Sequence, residues 1–298
     1  MFHQRMIRTV PLFSIVMIAA CSVKESAKSA ATDTGTASTA AAAAPAAGPN
    51  VVHVVAKDYS FDAPAQIPAG LTTLHLMNQG KEIHQAQIIK LTEGKTFADF
   101  TAAIKAMKPN EPPPSWVVPA GGPNGAPPGG TAAATSTLEP GNYALVCFIP
   151  SEDGVPHAMK GMSRGLVVTP STMAAAPEPT ATMSITLSDY KFDLSTPLKV
   201  GQNVIRVENI AGQPHEVVLF KLAPGKTIKD FQAWLPVSDK QPPPAIPLGG
   251  VVGQVKGEHA FFTADLDAGD YVMVCFLPDA KDGKPHFVHG MVQEFKVT

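Results

Sequence analysis

The sequence predicts an all-β protein built as two tandem sandwiches, each with one short helix in a long connection. Three observations carry this. Short β-like runs recur at regular spacing between Gly, Pro and Asn residues. Stretches with helical periodicity are few, while the chain holds 29 Pro and 24 Gly. And the second half repeats the first, which is the sequence signature of a duplicated unit.

The strand-like runs are Val51 to Ala56, Leu71 to Met77, Ala86 to Lys90, Tyr143 to Phe148 and Leu166 to Val168. Val204 to Glu208, Val217 to Leu222, Tyr271 to Phe276 and Val292 to Val297 repeat the pattern. The repeat is anchored by Asp58-Tyr59-Ser60-Phe61-Asp62, which recurs as Asp189-Tyr190-Lys191-Phe192-Asp193, and by His84, which recurs as His215. Gly94-Lys95-Thr96 with Asp99-Phe100 recurs as Gly225-Lys226-Thr227 with Asp230-Phe231, at the same offset of 131 residues. Gly141-Asn142-Tyr143 through Cys147-Phe148 recurs as Gly269-Asp270-Tyr271 through Cys275-Phe276. Ala/Pro-rich residues 171–181 read as the link between units spanning 50–170 and 182–298.

One helix is expected in each unit. Thr96 with Asp99, and Thr227 with Asp230, have the spacing of an N-cap and its N3 partner. Phe97, Phe100 and Ile104 then share a face, as do Ile228, Phe231 and Leu235. The Pro triplets at 112–114 and 242–244 stop each helix. The stretch from Pro119 to Gly130 reads as a long surface loop.

The chain opens with Arg5 and Arg8, followed by an apolar run too short to span a bilayer, which needs about 20 residues. A charged start, a short apolar stretch and small residues mark a secretory signal peptide over residues 1–20. Ile18-Ala19-Ala20-Cys21 resembles the lipobox of bacterial lipoproteins, which implies cleavage before Cys21 and its acylation. With Ser22 next, that resemblance implies the outer membrane, at its periplasmic face or the cell surface. Residues 21–49 are Ala/Thr/Ser-rich, too poor in bulky apolar groups to offset ordering entropy, and read as a tether. The net charge of −2 gives no reason to expect nucleic acid as a partner.

There are three cysteines, Cys21, Cys147 and Cys275. With the first assigned to lipid, each unit keeps one thiol and no disulfide partner. An exported chain that keeps a lone thiol does so either as a buried inert side chain or as a metal ligand. Downstream of Cys147 come His157 and Met162; downstream of Cys275 come His286 and Met291. Upstream, His84 and His215 each begin a strand. One thiolate, two imidazoles and a thioether suit copper, and a His₂Cys plane with a weak axial Met is the blue-copper electron-transfer arrangement.

On these residues the chain resembles the cupredoxin family, once per unit. The resemblance implies Greek-key β-sandwiches, one copper per unit, and the ligand sets His84, Cys147, His157, Met162 and His215, Cys275, His286, Met291. Spacing from His to Met follows the family's H-x4-M. Two departures imply either a red or distorted copper site or one that binds metal weakly: Gln85 and Glu216 stand where the family often has Asn, and the Cys-to-His loops are longer than in plastocyanin- or azurin-like proteins. His289 offers an alternative ligand in the second unit, where the first has Lys160, and makes the second unit the better supplied. His53, His75 and His259 have no counterpart in the repeat and read as surface or satisfied histidines.

Three functions stay open at this level: electron transfer with a redox protein partner, copper sequestration or delivery, and a metal-free interaction module. A structure placing His215, Cys275 and His286 more than about 7 Å apart would exclude a shared ion, because ligand bonds are near 2.0–2.3 Å. An enzyme is not expected, since the His-x-His clusters of multicopper oxidases do not occur in the sequence.

Overall fold

Strand formation begins at Asn50 because the next residues alternate, with Val52, Val54 and Ala56 facing inward and Val51, His53 and Lys57 outward. The computed structural model describes residues 48–107 and 112–298. The expected export signal, Cys21 and the expected tether up to residue 47 lie outside the described residues. No helix among the described residues is long and apolar enough to cross a membrane.

The first half contains β1 (Asn50–Lys57), β2 (Ser60–Asp62), β3 (Gln66–Pro68), β4 (Gly70–Asn78), β5 (Gln87–Leu91), β6 (Val117–Pro119), β7 (Thr131–Leu138), β8 (Gly141–Val146) and β9 (Ser163–Thr169). The second half contains β10 (Met183–Ser188), β11 (Lys191–Leu194), β12 (Gly201–Asn209), β13 (His215–Leu222), β14 (Ala245–Gln254), β15 (His259–Leu266), β16 (Gly269–Val274) and β17 (Val292–Val297). Each half has one α-helix, α1 (Phe97–Ala106) and α2 (Ile228–Trp234). The all-β, two-sandwich expectation holds.

In the first half, the sheet β7-β4-β1-β2 faces the sheet β3-β9-β8-β5-β6. Their inner faces bury Val54, Leu74 and Leu76 against Ile88, Leu145, Cys147 and Leu166. The second sheet is covered on its other side too, where Ile89, Leu91, Ala144 and Val146 pack on Phe100 and Ile104 of α1. Burial on both faces explains why the adjacent Ile88 and Ile89 of β5 are both apolar. The second half repeats this layering. Ile185, Ile205 and Val207 pack against Leu219, Tyr271 and Cys275, and Phe220, Val272 and Val274 pack on Phe231 and Trp234 of α2.

Both helices start with the expected capping box, Thr96 with Asp99 and Thr227 with Asp230. They end before the Pro triplets. α1 stops at Met107 in an extended conformation, and α2 tightens into a 3-10 turn over Leu235–Val237.

The two halves share a sheet. β7 and β15 are equivalent edge strands, and they pair antiparallel at Phe261 and Thr135 to give one sheet of order β11-β10-β12-β15-β7-β4-β1-β2. A second contact uses a repeat that lies inside the glycine-rich stretches. Pro119-Ala120-Gly121-Gly122-Pro123-Asn124-Gly125 recurs 128 residues on as Pro247-Leu248-Gly249-Gly250-Val251-Val252-Gly253. These two segments run antiparallel, with Pro123 bridged to Val251, its own equivalent. Val252 N–H donates to the Gly122 carbonyl at 3.0 Å, and Asn124 N–H donates to the Gly250 carbonyl at 3.2 Å. Equivalent groups meeting reciprocally is the signature of a pseudo-twofold, isologous contact. Residues 121–126 are therefore buried, not a surface loop. Their backbone polar groups are satisfied across the halves, which is what makes burying such a loop possible.

Glycine is required at the heart of this contact. Gly122 (φ +116°) and Gly250 (φ +127°) bring backbone against backbone, and a Cβ would lie 2.2 Å from the Ala86 carbonyl oxygen or 2.0 Å from that of Val217. Gly122→Ala is expected to destabilise the protein by about 2–4 kcal/mol, read as a lowered chemical-denaturation midpoint; an unchanged midpoint would show that the halves do not depend on this contact.

Candidate metal centre

Each candidate centre is assembled by one strand start and one loop. β5 and β13 follow or begin at the upstream histidines, so His84 and His215 point from one sheet edge into the sandwich. β8 and β16 end immediately before Cys147 and Cys275. The loops that follow are pinned identically in both halves. Cys147 N–H donates to the Met162 carbonyl, Ala158 N–H to the Cys147 carbonyl and His157 N–H to the Ile149 carbonyl. Cys275, Met291, Phe287, His286 and Leu277 make the same bonds in the second half. The extra loop length projects as a small excursion, pinched at its base by the bridges Pro150–Pro156 and Pro278–Pro285. A one-residue difference between the loops therefore leaves the two histidines in equivalent places. Gly161 (φ +105°) and Gly290 (φ +98°) then turn the chain back after a 3-10 turn.

The result is two buried clusters. His84, Cys147 and His157 have ligand atoms within 4.8 Å of one another, and so do His215, Cys275 and His286. All six side chains are fully buried. The separation is far below the limit that would exclude a shared ion. Met162 and Met291 are also fully buried in the same cores.

The outward nitrogens explain which way the rings face. His84 Nε2 sits 3.1 Å from Asp58 Oδ1, His157 Nε2 contacts Glu82, and His215 Nε2 sits 3.1 Å from Asp189 Oδ1. A carboxylate can only accept, so Nε2–H is the donor in each pair and Nδ1 is left as a lone pair. In the first cluster the Nδ1 atoms of His84 and His157 face each other at 3.1 Å, with Cys147 Sγ 3.4 Å from the latter. In the second, Cys275 Sγ lies 3.2 Å from His286 Nδ1 and 3.9 Å from His215 Nδ1. In the first cluster two ring lone pairs and one sulfur converge, and a single thiol proton cannot bond both rings; the second brings the same atoms together. A bound cation satisfies all three donors, so the residues present fit a metal ion. Carboxylate partners on the outer nitrogens are the usual device for orienting metal-ligating histidines.

Backbone amides complete the sulfur's surroundings. Gln85 N–H points at Cys147 Sγ at 3.5 Å, which is a contact the residue after the upstream His makes whatever its side chain. Burial pushes the Cys147 thiol up to about 12 and raises Cys275 well above its usual range. Burial likewise lowers His84 and His215, and brings His286 down to about 4 with the neighbouring His215 assisting. Neutral imidazoles are the ligating form.

Several functional residues were visible in the sequence only as repeat markers. Asp58 and Asp189 are the carboxylates on the upstream histidines. Tyr59 (φ +66°) and Tyr190 (φ +63°) adopt a left-handed conformation that costs a non-glycine residue energy. It sets their rings edge-on against His157 at 5.4 Å and His286 at 5.6 Å. The acid nearest the second histidine has changed place between copies. In the first half it is Glu82, which accepts from Tyr59, with Ser151 beside that tyrosine. In the second half Gln213 replaces Glu82, and Asp279, replacing Ser151, accepts from Tyr190. Asp279 stays 4.0 Å from His286 Nε2, which has no hydrogen-bond partner.

His289 does not join the second cluster. It is exposed, bonds Asp282 at 3.2 Å and packs on Tyr190 at 4.9 Å. His259 is bonded to Glu178, and His53 packs edge-on against His75 across β1 and β4.

Each half is a two-sheet β-sandwich with one buried His, Cys, His cluster. Among family models nothing matches this chain, and no curated protein matches it. Solved structures show likeness at low identity. Dithionite-reduced auracyanin from the photosynthetic bacterium Roseiflexus castenholzii is 21% identical, with 42% of this chain and 100% of that chain covered, at a TM-score of 0.30. Auracyanin A, a blue copper protein of Chloroflexus aurantiacus, is 21% identical over 41% of this chain and 100% of its own, at 0.29. A multicopper oxidase is 13% identical over 83% of this chain and 88% of its own, at 0.24.

An ion entering the first cluster must displace the Cys147 proton, so binding strengthens as pH rises towards the thiol's raised pKa and weakens as pH falls. In a Cys275→Ser protein, apparent copper affinity is expected to rise about tenfold per pH unit above neutrality, with proton release measured by pH-stat. Affinity independent of pH would contradict thiolate ligation.

Proposed function

We propose that this chain is an exported, lipid-anchored copper protein that carries electrons through a type-1-like site in each half. The observation that carries the reading is the convergence of two Nδ1 atoms and one sulfur in each buried cluster, with three of the four outer nitrogens committed to acids. Copper suits that set of two imidazoles and a thiolate better than harder cations do. When bound, copper supplies a one-electron couple. The residues supply the rest. His84, Cys147, His157 and their equivalents hold the ion, and Asp58, Asp189 and Glu82 fix ring tautomer and direction. Met162 and Met291, buried in the same cores, would offer their thioethers to the ion, and the closed sandwich excludes water.

Rigid placement suits electron transfer because the ligands need not rearrange when the charge changes. Complete burial of all six donors favours retaining the ion over handing it to another protein. The partner is then a redox protein, and the activity is carriage, not catalysis. Cys21, if acylated, tethers the pair of domains to the cell envelope.

Copper-loaded protein is expected to bind two ions per chain and to show strong visible thiolate-to-Cu(II) absorption. Cys147→Ser and Cys275→Ser should each remove one ion and its share of the band. Colourless protein after reconstitution would overturn the reading, and tight Cu(I) binding without reversible cycling would replace it with copper storage or delivery.

A further inference from the structure

The contact between the halves is reciprocal in its backbone but not in its side chains. Two symmetry-related arms connect the region of one cluster to that of the other. On one arm Asn124 meets Glu216; on the other the equivalent residues are Val252 and Gln85. Asn124 and Glu216 are both buried, at 2% and 4% exposure. Burying a carboxylate at such a place is costly unless it is hydrogen-bonded, and the other arm does without it.

This carboxylate is bonded on both oxygens. Asn124 Nδ2–H donates to Glu216 Oε2 at 3.2 Å, and Phe276 N–H donates to Glu216 Oε1 at 3.0 Å. Asn124 Nδ2 also lies 3.3 Å from the Val217 carbonyl. Glu216 follows His215 in the chain, and Phe276 follows Cys275, so both bonds end one residue from a cluster side chain. At the other end, His84 and Ala126 exchange backbone hydrogen bonds of 3.1 and 2.8 Å. Ala126 is two residues from Asn124. A continuous series of covalent and hydrogen bonds thus runs from His84 through Ala126, Gly125 and Asn124 to Glu216, and from there to His215 and to Cys275.

We propose that the two centres form an electron-sharing pair connected through the Asn124–Glu216 hydrogen bond, so that the chain stores and relays two electrons. This rests on the copper reading above. In the step itself one electron leaves the reduced centre and enters the oxidised one; one copper is oxidised, the other reduced, and no proton moves. The Val252/Gln85 arm supplies no such link, because a valine side chain cannot donate a hydrogen bond. Backbone hydrogen bonds also cross between the halves, but the relay has one side-chain crossing, and that crossing can be removed with residues the fold already accepts on its other arm.

The test uses the full, copper-loaded chain with a ruthenium photoreductant on a cysteine introduced beside one centre. Met159→Cys serves the first and Val288→Cys the second; both positions are exposed and lie two residues past a cluster histidine. One flash delivers one electron to the neighbouring centre. If that electron moves on, a second flash finds the same centre oxidised and bleaches the thiolate–copper band as fast as the first. One of the two placements must show this, whichever centre has the higher potential, and the rate must not depend on protein concentration. In the Asn124→Val/Glu216→Gln protein the second bleach is expected to slow severalfold while copper content and the spectrum are kept. A slow second bleach at both placements, or an equally fast one without the bridge, overturns the relay. Absence of the band before any flash overturns the copper reading instead, so the two failures are distinguishable.

Discussion

The structure depends on keeping two imidazole lone pairs and a sulfur pointed at one another inside an apolar core. Left alone, that arrangement is unfavourable, because the inward nitrogens have no donor between them beyond the thiol's single proton. Three outer carboxylates, Asp58, Glu82 and Asp189, hold the rings in this orientation from the other side. The surrounding fold serves the same end. Strands that end at Cys147 and Cys275, glycines that turn the chain back to Met162 and Met291, and tyrosines held at positive φ all fix the clusters in place.

Much of this was legible in the sequence, and the reasons it was or was not are physical. The duplicated His, Cys, His and Met residues stand out because a lone thiol per unit, with no disulfide partner, has few purposes. The capping boxes were legible because Thr and Asp at that spacing have one strong local use. β7 was not seen, because Thr131-Ala132-Ala133-Ala134-Thr135 has small residues where strands usually show β-branched or aromatic ones. Its small side chains are what let it join β15. The glycine-rich stretch from Pro119 reads as surface in the sequence but is buried, for a related reason. Gly and Pro signal a turn locally, yet here they allow one backbone to approach another, and only the second copy at residues 247–253 betrays that use. The outer carboxylates were present in the repeated Asp-Tyr motifs, but nothing in linear order links Asp58 to His84 as a bonded pair.

The two copies have diverged around a constant centre. The nearby acid moved from position 82 in the first half to position 279 in the second, with Gln213 and Ser151 filling the vacated places. The first centre thus has both rings bonded to acids, and the second has one ring so bonded and a buried Glu216, raised to about 7 by its burial, near the sulfur. Duplication with changed surroundings gives two centres of different character within one compact unit.

Copper-edge X-ray absorption on the loaded chain reads the ion's ligands directly. Two nitrogens and one short-bonded sulfur per copper are expected in the first shell, matching the two buried clusters. A shell of nitrogen and oxygen alone, with no sulfur, would contradict thiolate ligation.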